Sequence, residues 1–261
     1  MSRPTRWTSL EPVALGPDAL AALCRGEVPA IRVPGLLSAA ECASVVQGLP
    51  EGAFTSYART PAFQAFERFG IAQAGYGTQR RDLYFEHAVA ARAERDRLIS
   101  RAGVDPLGRA MERIRTEAQA QIEIAREPDG REYFAGILRR INGGIRLHAD
   151  TCRRTDPRWQ IYGCQAQLSL NVYLTDFQGG TCVIYERLHE AADDDTVPAG
   201  SYIYDRGLVS GARQVRVAPQ CGDLLLFNSR CYHEVEAAGS DRLSYAAFVG
   251  LLSDRRFLVW A

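Results

Sequence analysis

The stretch Gln165-Ala166-Gln167-Leu168-Ser169-Leu170-Asn171-Val172-Tyr173-Leu174 alternates apolar and polar residues. Its period of two is that of a β-strand, in which successive side chains point to opposite faces. Runs at residues 134–141, 181–185, 214–217, 223–227 and 243–251 alternate likewise or are rich in apolar and β-branched residues, and Gly, Pro, Asp and Asn punctuate them. No helical pattern separates these runs. Short strands in succession predict an antiparallel sandwich or jelly roll rather than a parallel α/β sheet.

Toward the N-terminus the pattern changes. Residues 29–36 form a short apolar stretch that reads as a strand. Ser38 and Glu41 spell a capping box, S-x-x-E, and open a helix to about residue 49. Residues 88–101 are rich in Ala, Arg, Glu and Leu, and Gly103 follows as a stop. Asp105 and Pro106 supply a cap and a first-turn proline. Leu107, Met111 and Ile114 continue at helical spacing, which predicts a helix to about residue 126. The expected class is α+β with a mainly β core. The chain reads as one domain, residues 1–261, in which a mostly helical part (1–130) packs on a β catalytic core (131–261).

Hydrophobic content of 46% and charged content of 24% suit a globular protein with a sizeable core. Lys plus Arg and Asp plus Glu both number 31, so no basic excess points to nucleic acid. No apolar stretch is long enough to span a bilayer, and residues 1–10 lack the apolar core of a signal peptide; a cytoplasmic protein is expected. The seven Cys include no C-x-x-C pair, which argues against a zinc ribbon or a disulfide framework, and Cys152 reads as an ordinary thiol. The acidic run Asp193-Asp194-Asp195 reads as a solvated loop.

Of the four His, two stand in special settings. In Leu147-His148-Ala149-Asp150 an extended backbone turns His148 and Asp150 to the same face. His233 follows the apolar run at 224–227. Two His and one carboxylate on one face form a facial triad that leaves coordination positions open, an arrangement suited to iron(II) and oxygen chemistry. His87 and His189 are not expected to be ligands. Arg242 lies shortly after His233, and an Arg directed into a barrel needs an anion. Its planar fork suits a carboxylate, and Ser244 shares its face.

The set Arg140-Ile141-Asn142-Gly143-Gly144, Leu147-His148-Ala149-Asp150, Leu170-Asn171-Val172-Tyr173-Leu174, Gly179-Gly180-Thr181, Gly222-Asp223, His233-Glu234-Val235 and Arg242 resembles the 2-oxoglutarate/iron(II) oxygenase superfamily, in its prolyl-hydroxylase-like branch. The resemblance implies a double-stranded β-helix with Gly179-Gly180 as a turn between strands. It implies His148, Asp150 and His233 as iron ligands and as the catalytic centre. It implies Arg242 on the distal carboxylate of 2-oxoglutarate, assisted by Ser244 and Tyr173, with Asn171 nearby. The implied cofactors are Fe(II), 2-oxoglutarate and O2. The layout is also similar to a halogenase group acting on amino acids and alkaloids. That group has Gly or Ala where this chain has Asp150, which favours hydroxylation over halogenation.

The expected partner is a small polar molecule such as an amino acid, with no nucleic acid and no membrane. Residues 57–86, 151–162 and 187–211 are expected around the barrel mouth and contain Arg80, Arg81, Glu86, Arg153, Arg154, Trp159, Tyr202, Tyr204 and Arg206. Desaturation or ring closure would start from the same hydrogen abstraction. A cupin-like metalloenzyme independent of 2-oxoglutarate would leave Arg242 unexplained, and a binding protein that had lost turnover would not need the intact triad.

Overall fold

The alternating stretch forms β7 (Ala166–Tyr173), with β10 (Leu224–Asn228) on one side and β12 (Leu243–Ser253) on the other. The computed structural model describes residues 7–56, 66–77, 79–197 and 201–261. Among these, a nine-stranded sheet runs in the order β1 (Ala30–Val33), β10, β7, β12, β5 (Ile137–Ile141), β3 (Phe66–Phe69), β2 (Thr55–Ser56). β13 (Arg256–Trp260) also pairs with β12, and β4 (Gln121–Ile124) runs parallel to β13. The other pairings are antiparallel. A second sheet of four antiparallel strands has the order β6 (Ile145–His148), β11 (Cys231–Val235), β8 (Cys182–Leu188), β9 (Gln214–Val217).

The alternation of β7 divides the core in two. Leu168, Leu170 and Val172 pack against helices α1 (Pro17–Arg25), α2 (Ala39–Gln47) and α4 (Pro106–Glu117), through Leu20, Leu23, Val45, Leu107 and Ile114. On the opposite face Tyr173, with Leu225 and Phe227 of β10, meets Cys182, Ile184, Val215 and Val217 of the second sheet. Each fully buried Leu, Ile or Val stabilises this arrangement by about 1.5–3 kcal/mol.

The helix signals act as their chemistry demands. The Ser38 side chain accepts from the Glu41 amide, and the Glu41 side chain returns the contact to the Ser38 amide. Asp105 caps α4 through the Leu107 amide. Gly103, at φ 69°, ends α3 (Arg81–Ala102), which starts earlier than residue 88 because Tyr84 and Phe85 are buried with Tyr133 and Trp159.

The structure also corrects the end of α4. α4 stops at Glu117 rather than near residue 126: the chain turns at Gln119 (φ 51°) and enters β4, whose Ile122 is buried. The N-terminal part also supplies four short strands, β1 to β4, to the larger sheet. Among the described residues no helix is long and apolar enough to cross a membrane. Residues 1–6, 57–65, 78 and 198–200, which include parts of the expected mouth, lie outside the described residues.

Candidate metal centre and co-substrate cradle

β6 and β11 are neighbours in the smaller sheet, and their register sets His148 directly opposite His233. Such a cross-strand pair projects on one face, and the two ring centroids lie 4.1 Å apart. Asp150 follows just past β6, where its amide donates to the Ser229 carbonyl (2.8 Å). Its Oδ2 lies 3.9 Å from His148 Nε2 and 3.8 Å from His233 Nε2. One ligand atom from each residue falls within a 4.8 Å cluster.

Each imidazole is oriented by its own strand. His148 Nδ1 lies 2.8 Å from the Arg146 carbonyl, and His233 Nδ1 lies 2.8 Å from the Cys231 carbonyl. A carbonyl only accepts, so Nδ1 carries the proton and Nε2 presents its lone pair toward Asp150. Burial pushes the His148 pKa down and that of His233 down to about 3, the neighbouring His148 adding to the effect. Both rings are therefore neutral at neutral pH, the form that ligates a divalent ion.

A brace holds the loop between the ligands. Arg154 Nη1 donates to the Ala149 carbonyl (2.6 Å), and Arg154 pairs with Asp194 (2.9 Å). Asp194 also takes hydrogen bonds from Tyr204 and from His189 (2.9 Å). Asp193 is buried, paired with Arg187 (2.7 Å) and bonded by Tyr232 (2.7 Å). The acidic run is thus only in part the solvated loop expected: Asp194 and Asp195 are exposed, but Asp193 is buried, and the Asp193 and Asp194 carboxylates are held by cations and phenols from elsewhere in the chain. His87 contacts Tyr76 and His189 contacts Asp194, so neither joins the triad. All seven Cys are free, and Cys152 is buried near Cys164 outside the ligand set.

Arg242 is buried. Its Nε donates to the Gly180 carbonyl (3.1 Å) and its Nη2 to Tyr173 Oη (3.3 Å), and its guanidinium lies over the Tyr173 and Phe177 rings. Gly180 has φ 61°, and a Cβ there would stand 2.7 Å from Arg242 Cδ, so only glycine lets the two pass. Ser244 pairs in register with Tyr173, and its buried hydroxyl has no partner among the described residues. Nor does Arg242 meet any carboxylate there. A buried guanidinium without an acid beside an orphan hydroxyl is costly unless an anion completes the set. Arg242, Ser244 and Tyr173 thus fit the distal carboxylate of 2-oxoglutarate. Asn171 lies two residues from Tyr173 on the same face and bonds Ser169 Oγ (3.0 Å).

A cavity of about 510 Å³ opens at the triad, lined by His148 and Asp150. Of the expected mouth residues, Arg154, Trp159 and Tyr202 line it. Arg80, Arg81, Glu86, Arg153, Tyr204 and Arg206 do not: Arg80 is held by the Gly75 carbonyl, Arg81 by Glu127 and Arg206 by Glu234. Sequence reading missed Arg139, Phe248 and Trp260, which line the cavity from β5, β12 and β13. The period of two in β5 was a usable signal for Arg139; nothing in the sequence placed Trp260 there.

The model of the family described as carrier-protein-independent halogenase WelO5 matches residues 7–260. The chain is 29% identical over 252 residues to L-gamma-glutamyl-L-propargylglycine hydroxylase of Streptantibioticus cattleyicolor, covering 92% of this chain and 90% of that protein. It is 34% identical over 178 residues to leucinostatins biosynthesis cluster protein S of Purpureocillium lilacinum, covering 65% of this chain and 73% of that protein. An N-substituted L-amino acid dioxygenase from Burkholderia ambifaria shares the fold, with a TM-score of 0.57 at 18% identity over 94% of this chain and 91% of that one. With a match spanning nearly the whole chain, the protein belongs to the WelO5 family of 2-oxoglutarate- and iron(II)-dependent oxygenases.

Proposed function

We propose that this oxygenase hydroxylates an unactivated C–H bond of a small amino-acid-like molecule. The observation that carries the choice of hydroxylation is Asp150, whose carboxylate stands 3.8–3.9 Å from both imidazole Nε2 atoms, where it completes a triad of three protein ligands. A halide would need a position this carboxylate takes. The hydroxylase relative supports the same reading, as does the amino acid named in its substrate. We read the two sheets, packed through Tyr173, Phe227 and Ile184, as a double-stranded β-helix, and the chain as one domain, since its larger sheet draws strands from both halves.

His148, Asp150 and His233 would hold iron(II), which supplies activation of O2 for removal of a hydrogen atom from carbon. Arg242, Ser244 and Tyr173 would bind the distal carboxylate of 2-oxoglutarate and so fix its keto-acid end toward the triad. The Arg146 and Cys231 carbonyls keep both ligating imidazoles in one tautomer. Phe227 packs edge-on against His233 and Tyr202 edge-on against His148, which limits water at the ligands. In the overall reaction one oxygen atom of O2 enters the substrate as hydroxyl, and the other enters succinate as 2-oxoglutarate loses CO2.

The test is product analysis under 18O2 with L-amino acids and γ-glutamyl dipeptides, in buffer containing chloride. The expected product is heavier than substrate by one 18O atom, with an equivalent of succinate. A chlorinated product, or one lacking the label, refutes hydroxylation.

A further inference from the structure

We propose that Arg139 binds the carboxylate of the prime substrate, so that the cavity selects carboxylic acids and sets which C–H bond faces the triad. This deepens the function proposed above and rests on it. Arg139 lies on β5, in register with Ser244 of β12, and lines the cavity together with His148 and Asp150. Its guanidinium carbon sits 5.8 Å from the centre of the Phe248 ring. Among the described residues it has neither an acid within ion-pair distance nor a hydrogen-bond acceptor.

The other charged side chains on the cavity wall are accounted for. Arg154 is neutralised by Asp194, and Asp156 is held by Arg158 (2.8 Å). Asp150 is committed to the triad. Arg139 is therefore the one wall cation, among the described residues, left without a partner. Its neighbour along the sheet, Arg140, differs in just this respect: it faces the other way and pairs with Glu67 (2.9 Å) and Asp241 (3.0 Å).

Arg139 starts beside Ser244 of the 2-oxoglutarate cradle, but its head lies toward Phe248 instead. Phe248 lies further along β12 than Ser244, by roughly 13 Å at about 3.3 Å per residue. The Arg139 head thus reaches along the strand away from Arg242, and the two guanidinium groups serve two different carboxylates. Phe248, Trp260 and Trp159 line the same cavity as apolar walls. A substrate anchored at Arg139 would lay its aliphatic part along them toward His148 and Asp150. A planar guanidinium can grip a carboxylate at two points, which fixes orientation as well as affinity.

The experiment uses the full chain loaded with iron(II) and 2-oxoglutarate without oxygen. A charge-transfer band in the parent comes first; its absence rejects the oxygenase reading itself. A panel of L-amino acids and γ-glutamyl dipeptides is then titrated, each as the free acid and as the carboxamide. Binding is followed by tryptophan fluorescence, because Trp159 and Trp260 line the cavity, and by perturbation of the band. At least one free acid should saturate the signal, and its amide should need at least about tenfold more, a difference of about 1.4 kcal/mol. Arg139→Gln, checked for folding by circular dichroism, should lose that discrimination, and Arg139→Lys should keep part of it. The proposal is overturned if acid and amide saturate alike in the parent, if Arg139→Gln still discriminates, or if no free acid of the panel binds.

Discussion

Replacing Arg242 by Met separates a residue that holds the fold from one that holds a ligand. In the free protein Arg242 donates to the Gly180 carbonyl at 3.1 Å and, at a long 3.3 Å, to Tyr173, and it lies over two aromatic rings. Removing it leaves the Gly180 carbonyl short of a partner, at about 1–3 kcal/mol. Against this, a buried guanidinium with no acid among the described residues carries a desolvation penalty of several kcal/mol. Methionine also keeps contact with Tyr173 and Phe177, worth about 0.3–1.5 kcal/mol per aromatic contact. The terms offset, so stability without 2-oxoglutarate should be unchanged or slightly raised. With 2-oxoglutarate the balance reverses, because truncating one side of a buried charge pair costs about 2–5 kcal/mol, or roughly 30-fold to several thousandfold in affinity. Urea unfolding of the protein loaded with Zn(II), a redox-inert substitute, tests both halves. At a concentration of 2-oxoglutarate 100 times the parent Kd, the parent should gain about 2.7 kcal/mol, and a variant binding 100-fold more weakly about 0.4 kcal/mol. The reasoning fails if the variant keeps its affinity within threefold. It also fails if the variant loses about 3 kcal/mol or more before any ligand is added, since Arg242 would then be a structural cation already satisfied.

Arg154→Met should cut the brace on the Ala149 carbonyl and weaken metal binding about tenfold or more, read by chelator competition with the far-UV spectrum unchanged; equal affinity would show that the ligands hold themselves. Gly180→Ala should lower affinity for 2-oxoglutarate as well as stability, because its Cβ would push into Arg242 Cδ; a stability loss alone would point to backbone strain only. Acid should unfasten the brace. Burial alone would raise the Asp194 pKa, but hydrogen bonds from Tyr204, His189 and Arg154 outweigh it and hold the carboxyl down to about 2. Since the folded value lies below the ordinary 3.8, this stability is complete above about pH 4 and is lost as pH falls toward 2. Asp194→Asn should flatten that part of the stability–pH curve, and an unchanged curve would contradict the assignment.

The triad was legible because His148 and Asp150 need only the period of two along one extended segment to share a face, and because an apolar strand precedes His233. The glycine pair Gly179-Gly180, at positive φ between β7 and β8, was read only through the family resemblance. What escaped depends on pairing across the sheets. The parallel partnership of β4 with β13 joins segments far apart in the chain, and no local pattern encodes it; the helix signal of α4 therefore seemed to continue past Glu117. Asp193 and Asp194 looked like solvated charges because Arg187, Tyr232, Arg154 and Tyr204 come to them only in the fold. Arg139 and Arg140 looked alike in sequence, yet strand alternation turns one to the cavity and the other to Glu67 and Asp241.

The most direct test of the site is the visible spectrum of the iron(II)-loaded protein titrated with 2-oxoglutarate in the absence of oxygen. A metal-to-ligand charge-transfer band should appear in the parent and be missing in His233→Ala. A parent that binds iron(II) yet shows no band, or a His233→Ala variant that shows the parent's band, would contradict the placement of iron and 2-oxoglutarate at His148, Asp150 and His233.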